Sequence, residues 1–260
     1  MSVTAIASPK GGVGKTTLAL NLGYALARRG WPYLVVDADP LGGIGYSLAP
    51  HLENRLGLTD VAAGRCQLSA ALLKTKIPGF AVLPFGSGSG AELNAGRLSD
   101  VFFQVGRLGF HILVDTPAGL SGLTAEVLAA SDFLVSPIQA EPLALRMLPR
   151  LLATLAGLNR QGRAPRLAAL VPVMVQSRVS SSVAVLQEMF RLFPPGTVLE
   201  TYIPRDPAFL EASGHGVPLA QLRARPPAVA AVFDHLAAEL EPLLALASAE
   251  ESDEPIPILD

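Results

Sequence analysis

The sequence predicts a doubly wound α/β fold, a mostly parallel sheet of seven to eight strands with helices on both faces. Three observations carry this. Apolar, β-rich runs recur along the chain and are continuous rather than alternating, as expected where both faces of a parallel sheet are covered. Helical patterns separate them, and strands alternating with helices imply right-handed βαβ crossovers. Between the first strand and the first helix lies a glycine-rich turn, within "ASPKGGVGKTTLALNL" at residues 7–22.

Taken in order, the predicted strands are 3–8 (VTAIAS), 33–37 (YLVVD), 80–84 (FAVLP), 111–115 (HILVD), 133–137 (FLVSP), 167–172 (LAALVP) and 197–202 (TVLETY). Helical stretches fall at about 15–30, 91–105, 121–130, 143–158, 180–193 and 227–247. "GSGSGAEL" at 86–93 reads as a flexible loop leading into a helix. With no repeat and no internal linker, residues 1–247 are expected to form one domain, followed by an acidic, disordered tail over 248–260.

Composition narrows the function classes. Half of the 260 residues are apolar and 16% are charged, enough to build a large core and too apolar for general disorder. Cys66 is the only cysteine, which excludes an internal disulfide and a multi-thiolate metal or iron–sulfur site within one chain. No apolar stretch reaches the ~18 residues of a membrane span, and no basic stretch precedes an apolar one at the start. A cytoplasmic protein is expected. Net charge is −2, unevenly placed: residues 1–225 carry 20 basic and 14 acidic side chains, a net +6, and every charge after Arg225 is acidic.

The turn "GGVGKT" follows a strand and opens a helix, the context a phosphate loop needs. Backbone N–H groups of Gly11, Gly12, Val13 and Gly14, with the helix N-terminus, would form an anion cradle extended by Thr16 and Thr17. Lys15 adds a point charge for the β- and γ-phosphates, and the Thr16 hydroxyl is placed to ligate Mg²⁺. Lysine usage agrees: of 16 Arg and four Lys, two lysines sit in this loop, where a compact ammonium and a guanidinium are not interchangeable. Acids at C-terminal strand ends lie at the crevice where ligands bind in open α/β sheets. "YLVVDADP" places Asp37 and Asp39 there, and "FHILVDTPAG" places Asp115, which fits a Walker B acid holding Mg²⁺ through a water.

The leading glycine of the usual G-x-x-x-x-G-K-[ST] spacing is missing, and Lys10 stands at the head of the turn. Here the sequence resembles the deviant-Walker ATPases of the ParA/MinD class, on the ParA side, over roughly residues 2–245. The resemblance implies ATP and Mg²⁺ as cofactors. It implies that Lys10 crosses a homodimer interface to the partner subunit's ATP, that Asp37 joins the outer shell of the metal, and that Asp39 orients the attacking water. "DTPAG" would sense the γ-phosphate. The stretch "YIPRDPAFLEASGHGVPL" (202–219) is similar to the family's I-P-R segment, which puts Pro204 and Arg205 near the adenine. It also makes Arg205, and Arg178 in "VQSRVS", candidates for non-specific DNA contacts; the alternative is ordinary surface arginines.

Two departures stand out: Leu41 replaces the glutamine usual after D-x-D-P, and Asp206 follows Arg205 directly. The expected function is a slow, partner-stimulated ATPase that dimerises on ATP, binds DNA non-specifically in the nucleoid, and segregates DNA or positions a cargo, with a ParB-like protein as one candidate stimulator. The alternative is a regulatory or assembly ATPase of the same fold without DNA binding, of the secretion- or metallochaperone-associated kind. A small-molecule ligase or kinase would need a second polar pocket that the sequence does not reveal. Membrane binding is not expected, because the polar residues of the 227–247 helix are acidic and anionic lipid would repel them.

Overall fold

The computed structural model describes residues 1–44 and 55–245. Within them lie strands β1 (Val3–Ile6), β2 (Tyr33–Asp37), β3 (Leu73–Lys74), β4 (Phe80–Leu83), β5 (His111–Asp115), β6 (Phe133–Gln139), β7 (Arg166–Val175) and β8 (Ile203–Pro204). The helices are α1 (Lys15–Arg28), α2 (Leu58–Ala62), α3 (Leu68–Ala71), α4 (Ala95–Arg107), α5 (Leu123–Ala129), α6 (Pro142–Asn159), α7 (Ser180–Leu192), α8 (Ala208–His215) and α9 (Ala231–Ala245). The segment 248–260, expected to be a disordered tail, lies outside the described residues, as does most of the "GGIGYSL" stretch after Leu41.

One sheet runs in the order β3-β4-β2-β5-β1-β6-β7-β8, parallel throughout except for β3 against β4. Strand order turns at β1, which pairs with β5 on one side and β6 on the other. That is the switch point where an open α/β sheet leaves a ligand crevice beyond its strand ends. The central strands are buried along their whole length, because helices cover both faces. On one face Leu18, Leu22 and Leu26 of α1 pack with Phe233, Leu236 and Leu240 of α9. On the other, Leu98, Val101 and Phe102 of α4 join Val127, Leu148 and Met189 from α5, α6 and α7.

The strands at 33–37 and 111–115 fall where the sequence puts them, and the others shift by one to three residues, with one exception. Residues 197–202 are not a strand. Val198 makes an isolated bridge to Leu170, and pairing with β7 resumes only at Ile203–Pro204. The backbone amides of Glu200 and Thr201 instead donate to the Glu239 carboxylate of α9, at 2.7 and 3.1 Å. A side chain some forty residues away thus satisfies donors that a ladder would otherwise use. The short elements β3, α2, α3 and α8 escape the sequence reading because a period cannot be read from so few residues.

Candidate functional site

The phosphate loop joins β1 to α1. Gly14 precedes the helix at φ 83°, a left-handed conformation that glycine adopts without strain. No side chain caps this helix start and no acid lies in its first turn, so the orphan N–H groups and the positive end of the helix dipole face the loop. A Cβ built at Gly12 would meet nothing within 4 Å, so the space beside the turn is open. Lys15 is buried. Burial lowers its pKa, opposed by the charges of Asp115 and Asp39.

The acids converge on the same point. Asp37 and Asp115 end adjacent strands and sit directly opposite each other in the register, both fully buried. Asp115 accepts a 2.6 Å hydrogen bond from the Thr16 hydroxyl on Oδ2, while its buried Oδ1 finds no partner. Its pKa is pushed up to about 7, chiefly by burial, with Asp37 and Asp39 adding to the rise and Thr16 and Lys15 opposing it. Asp37 accepts from the backbone amides of Asp39 (3.0 Å) and Ile44 (3.1 Å). Half-buried Asp39 accepts from Leu41 N–H through Oδ1, an Asx turn that orients its carboxylate.

Three acids face one ammonium, and the raised pKa of Asp115 marks a crevice short of positive charge. An unpartnered carboxylate oxygen beside a hydroxyl fits a hard divalent cation. Among the described residues no three His, Cys, Asp or Glu side chains form a metal-holding group. Mg²⁺ has no such need, since it takes one or two protein ligands and completes its octahedron with waters and phosphate oxygens. Thr16 and Asp115 would hold it, and Asp37 would stand one shell back, because both its oxygens already accept backbone N–H groups.

Beside the loop opens a cleft of about 410 Å³, lined by Val13, Thr17, Met174, Pro204, Arg205 and Phe209 among others. It is mostly apolar and starts at the phosphate loop, a place suited to a purine base. Met174 takes φ 55° at the register break between β7 and β8, a left-handed conformation that few residues other than glycine adopt. Exposed Arg205 follows β8, and its amide donates to the Val175 carbonyl at 3.1 Å. Exposed Arg178 lies in the turn after β7, so the two arginines occupy neighbouring loops on one edge. Asp206 Oδ1 accepts from Ala208 N–H at 2.8 Å, and so helps to start α8.

Lys10 is the exception. Within one chain it does not join the carboxylates. Its Nζ donates to Gln139 Oε1 at 2.5 Å and to Glu141 Oε2 at 2.9 Å.

A family model described as an AAA domain matches residues 1–168. The chain is also 35% identical over 232 residues to the chromosome partitioning protein ParA of Caulobacter vibrioides, covering 84% of this chain and 86% of that one. The chain belongs to the ParA/MinD class of P-loop ATPases.

Solved structures agree with this ParA-type fold. The cell division ATPase MinD of Pyrococcus furiosus superposes with a TM-score of 0.73 at 26% identity, covering 93% of this chain and 99% of that one. Cobyrinic acid a,c-diamide synthase from Mycobacterium smegmatis, with bound ATP analog and magnesium, superposes with a TM-score of 0.74 at 26% identity over the whole of both chains. In this ParA-type ATPase, Gln139, Glu141, Met174 and Phe209 join the site without having been sequence candidates. The first two carry a visible signal, the "QAE" at the end of a strand. The others carry none, since an apolar residue lining a cleft looks like one lining a core.

Proposed function

We propose that this ATPase is a nucleotide-timed dimer switch. The observation that carries the reading is the convergence of Lys15, Thr16 and the unpartnered Asp115 oxygen at the mouth of an open glycine cradle. ATP would lie with its phosphates in the cradle and its base in the cleft near Pro204 and Arg205. Mg²⁺, when bound, neutralises phosphate charge as it develops. Lys15 holds the phosphates from its own subunit. Lys10 reaches the partner subunit's nucleotide, supplying a cation that is complete only when two subunits meet. Asp39, oriented by its Asx turn, positions the attacking water.

On this reading the ATP dimer doubles a surface bearing Arg178 and Arg205, and non-specific DNA binding needs only a few such phosphate contacts. The +6 charge of residues 1–225 supports it. A partner protein accelerates slow hydrolysis and returns the subunits to monomers, so the residence time on DNA follows the chemistry. The protein would work in the cytoplasm, on the nucleoid; no helix of the described residues is long and apolar enough to cross a membrane. Residues 1–247 would act as one domain. Plasmid DNA retardation at several salt concentrations tests the DNA step: binding that requires ATP and weakens steeply with salt is expected, and none with ATP contradicts it.

A second reading, a regulatory or assembly ATPase without DNA, is favoured by one observation. Asp206 places a carboxylate next to Arg205 on the same edge, where it would weaken phosphate attraction. The same retardation assay separates the two readings.

A further inference from the structure

We propose that Glu141, with Gln139, is a positioning residue for Lys10, holding its ammonium on its own subunit until a nucleotide-loaded partner competes for it. The inference rests on the reading of Lys10 as a residue that acts across the dimer.

The placement follows from the sheet. β1 and β6 are parallel neighbours, with Ile6 opposite Val135. Four residues beyond Ile6 the chain reaches Lys10, and four beyond Val135 it reaches Gln139. The head of the phosphate loop and the end of β6 therefore leave the sheet side by side. Three hydrogen bonds close a triangle there. Lys10 Nζ donates to Gln139 Oε1 (2.5 Å) and to Glu141 Oε2 (2.9 Å), and Gln139 Nε2 donates to Glu141 Oε1 (2.6 Å). Gln139 is 7% exposed, so one corner is fixed by the core. The Lys10 and Glu141 side chains are 26% and 44% exposed, so the other two can part without opening the fold.

A lysine ammonium has three donors. Two of them are engaged on its own chain, beside a carboxylate that balances its charge. Reaching another subunit means leaving both. An ion pair this exposed is weak, about 1.4- to 5-fold in an equilibrium constant. Each dimer releases two such pairs, so the combined effect on dimerisation is about two- to twenty-five-fold. Glu141 thus sets the threshold at which subunits pair rather than forbidding the pairing.

The test uses the full chain with Glu141→Gln, which keeps an acceptor, and Glu141→Ala, which removes it. In nucleotide-free protein, limited acetylation read by mass spectrometry should modify Lys10 more readily in Glu141→Ala, by about 1.4- to 5-fold, with Glu141→Gln between. Lys74 and Lys76 serve as internal references. With Mg·ATP, the protein concentration at half-dimerisation should fall by about two- to twenty-five-fold in Glu141→Ala. Unchanged Lys10 modification would overturn the proposal, and so would greater modification with an unchanged or higher dimerisation midpoint. Lys10→Ala separates this from the underlying reading. If Lys10→Ala still pairs normally, the cross-subunit role itself fails; if it does not pair while Glu141→Ala matches the wild type, only the positioning role of Glu141 fails.

Discussion

The phosphate loop and the β7–β8 edge stand on the same rim of the sheet, at the C-terminal ends of parallel strands, yet they are built differently. In the loop, backbone geometry does most of the work. A left-handed Gly14 opens a helix, Lys15 and Thr16 follow, and two buried strand ends bring Asp37 and Asp115 opposite each other. At the edge, long-range side-chain contacts and an irregular backbone decide the shape. Glu239 of α9 holds the amides before β8, Met174 bends the strand beside it, and Asp206 helps to start α8. The loop is a site encoded locally. The edge is a site assembled from afar, with Arg178 and Arg205 displayed on its surface.

This contrast predicts how each region breaks. The largest effect belongs to the crevice beside the loop. Asp39→Ala should slow hydrolysis by about 10²- to 10⁴-fold, as expected for the loss of the carboxylate proposed to position the attacking water, while ATP still supports dimerisation. Phosphate release at the wild-type rate would remove Asp39 from that role.

The next effect is on metal binding. Asp115 has its pKa pushed up to about 7 from an ordinary value of 3.8. Between about pH 4 and 7 the metal-free folded chain therefore keeps a proton that the unfolded chain has released. The stability from this group is present at acid pH and lost as the pH rises toward 7. A cation needs the carboxylate, so Mg²⁺ affinity should fall up to about tenfold per unit below pH 7. Calorimetric titration of Mg²⁺ with ATP from about pH 5.5 to 8 measures this, and a flat profile after correcting for nucleotide protonation would contradict it.

The edge should fail by losing stability first. Glu239→Ala removes the partner of two backbone donors, one exposed and one part-buried, and should cost about 0.5–1.5 kcal/mol, a fall of a few degrees in Tm, with phosphate-loop affinity for ATP retained. An unchanged Tm would mean that water satisfies the Glu200 and Thr201 amides equally well. The smallest effect is that of Arg178→Ala, which on the proposed DNA reading would remove one phosphate contact per subunit. It should lower the salt slope of DNA binding by about 1 to 2 per dimer and leave the ATPase rate as it was; an unchanged slope would assign this arginine to the ordinary surface.

The same contrast explains what the sequence could reveal. The glycine turn, Lys15, Thr16 and the three acids were legible because spacing and strand ends place them without help from the rest of the chain. The strand expected at 197–202 failed because its amides are satisfied by a residue some forty positions later. Lys10 was legible as an anomaly, but its contacts with Gln139 and Glu141 were not, because they span about 130 residues and depend on β1 and β6 being neighbours. Leu41, 80% exposed, has no structural account here beyond the bond of its amide to Asp39.

The central claim is that two subunits share their nucleotides through Lys10, and light scattering tests it most directly. With Mg²⁺ and a non-hydrolysable ATP analogue, the wild-type chain should double its mass, while Lys10→Ala should bind the analogue and stay monomeric. A Lys10→Ala chain that doubles its mass at the wild-type concentration would contradict the account.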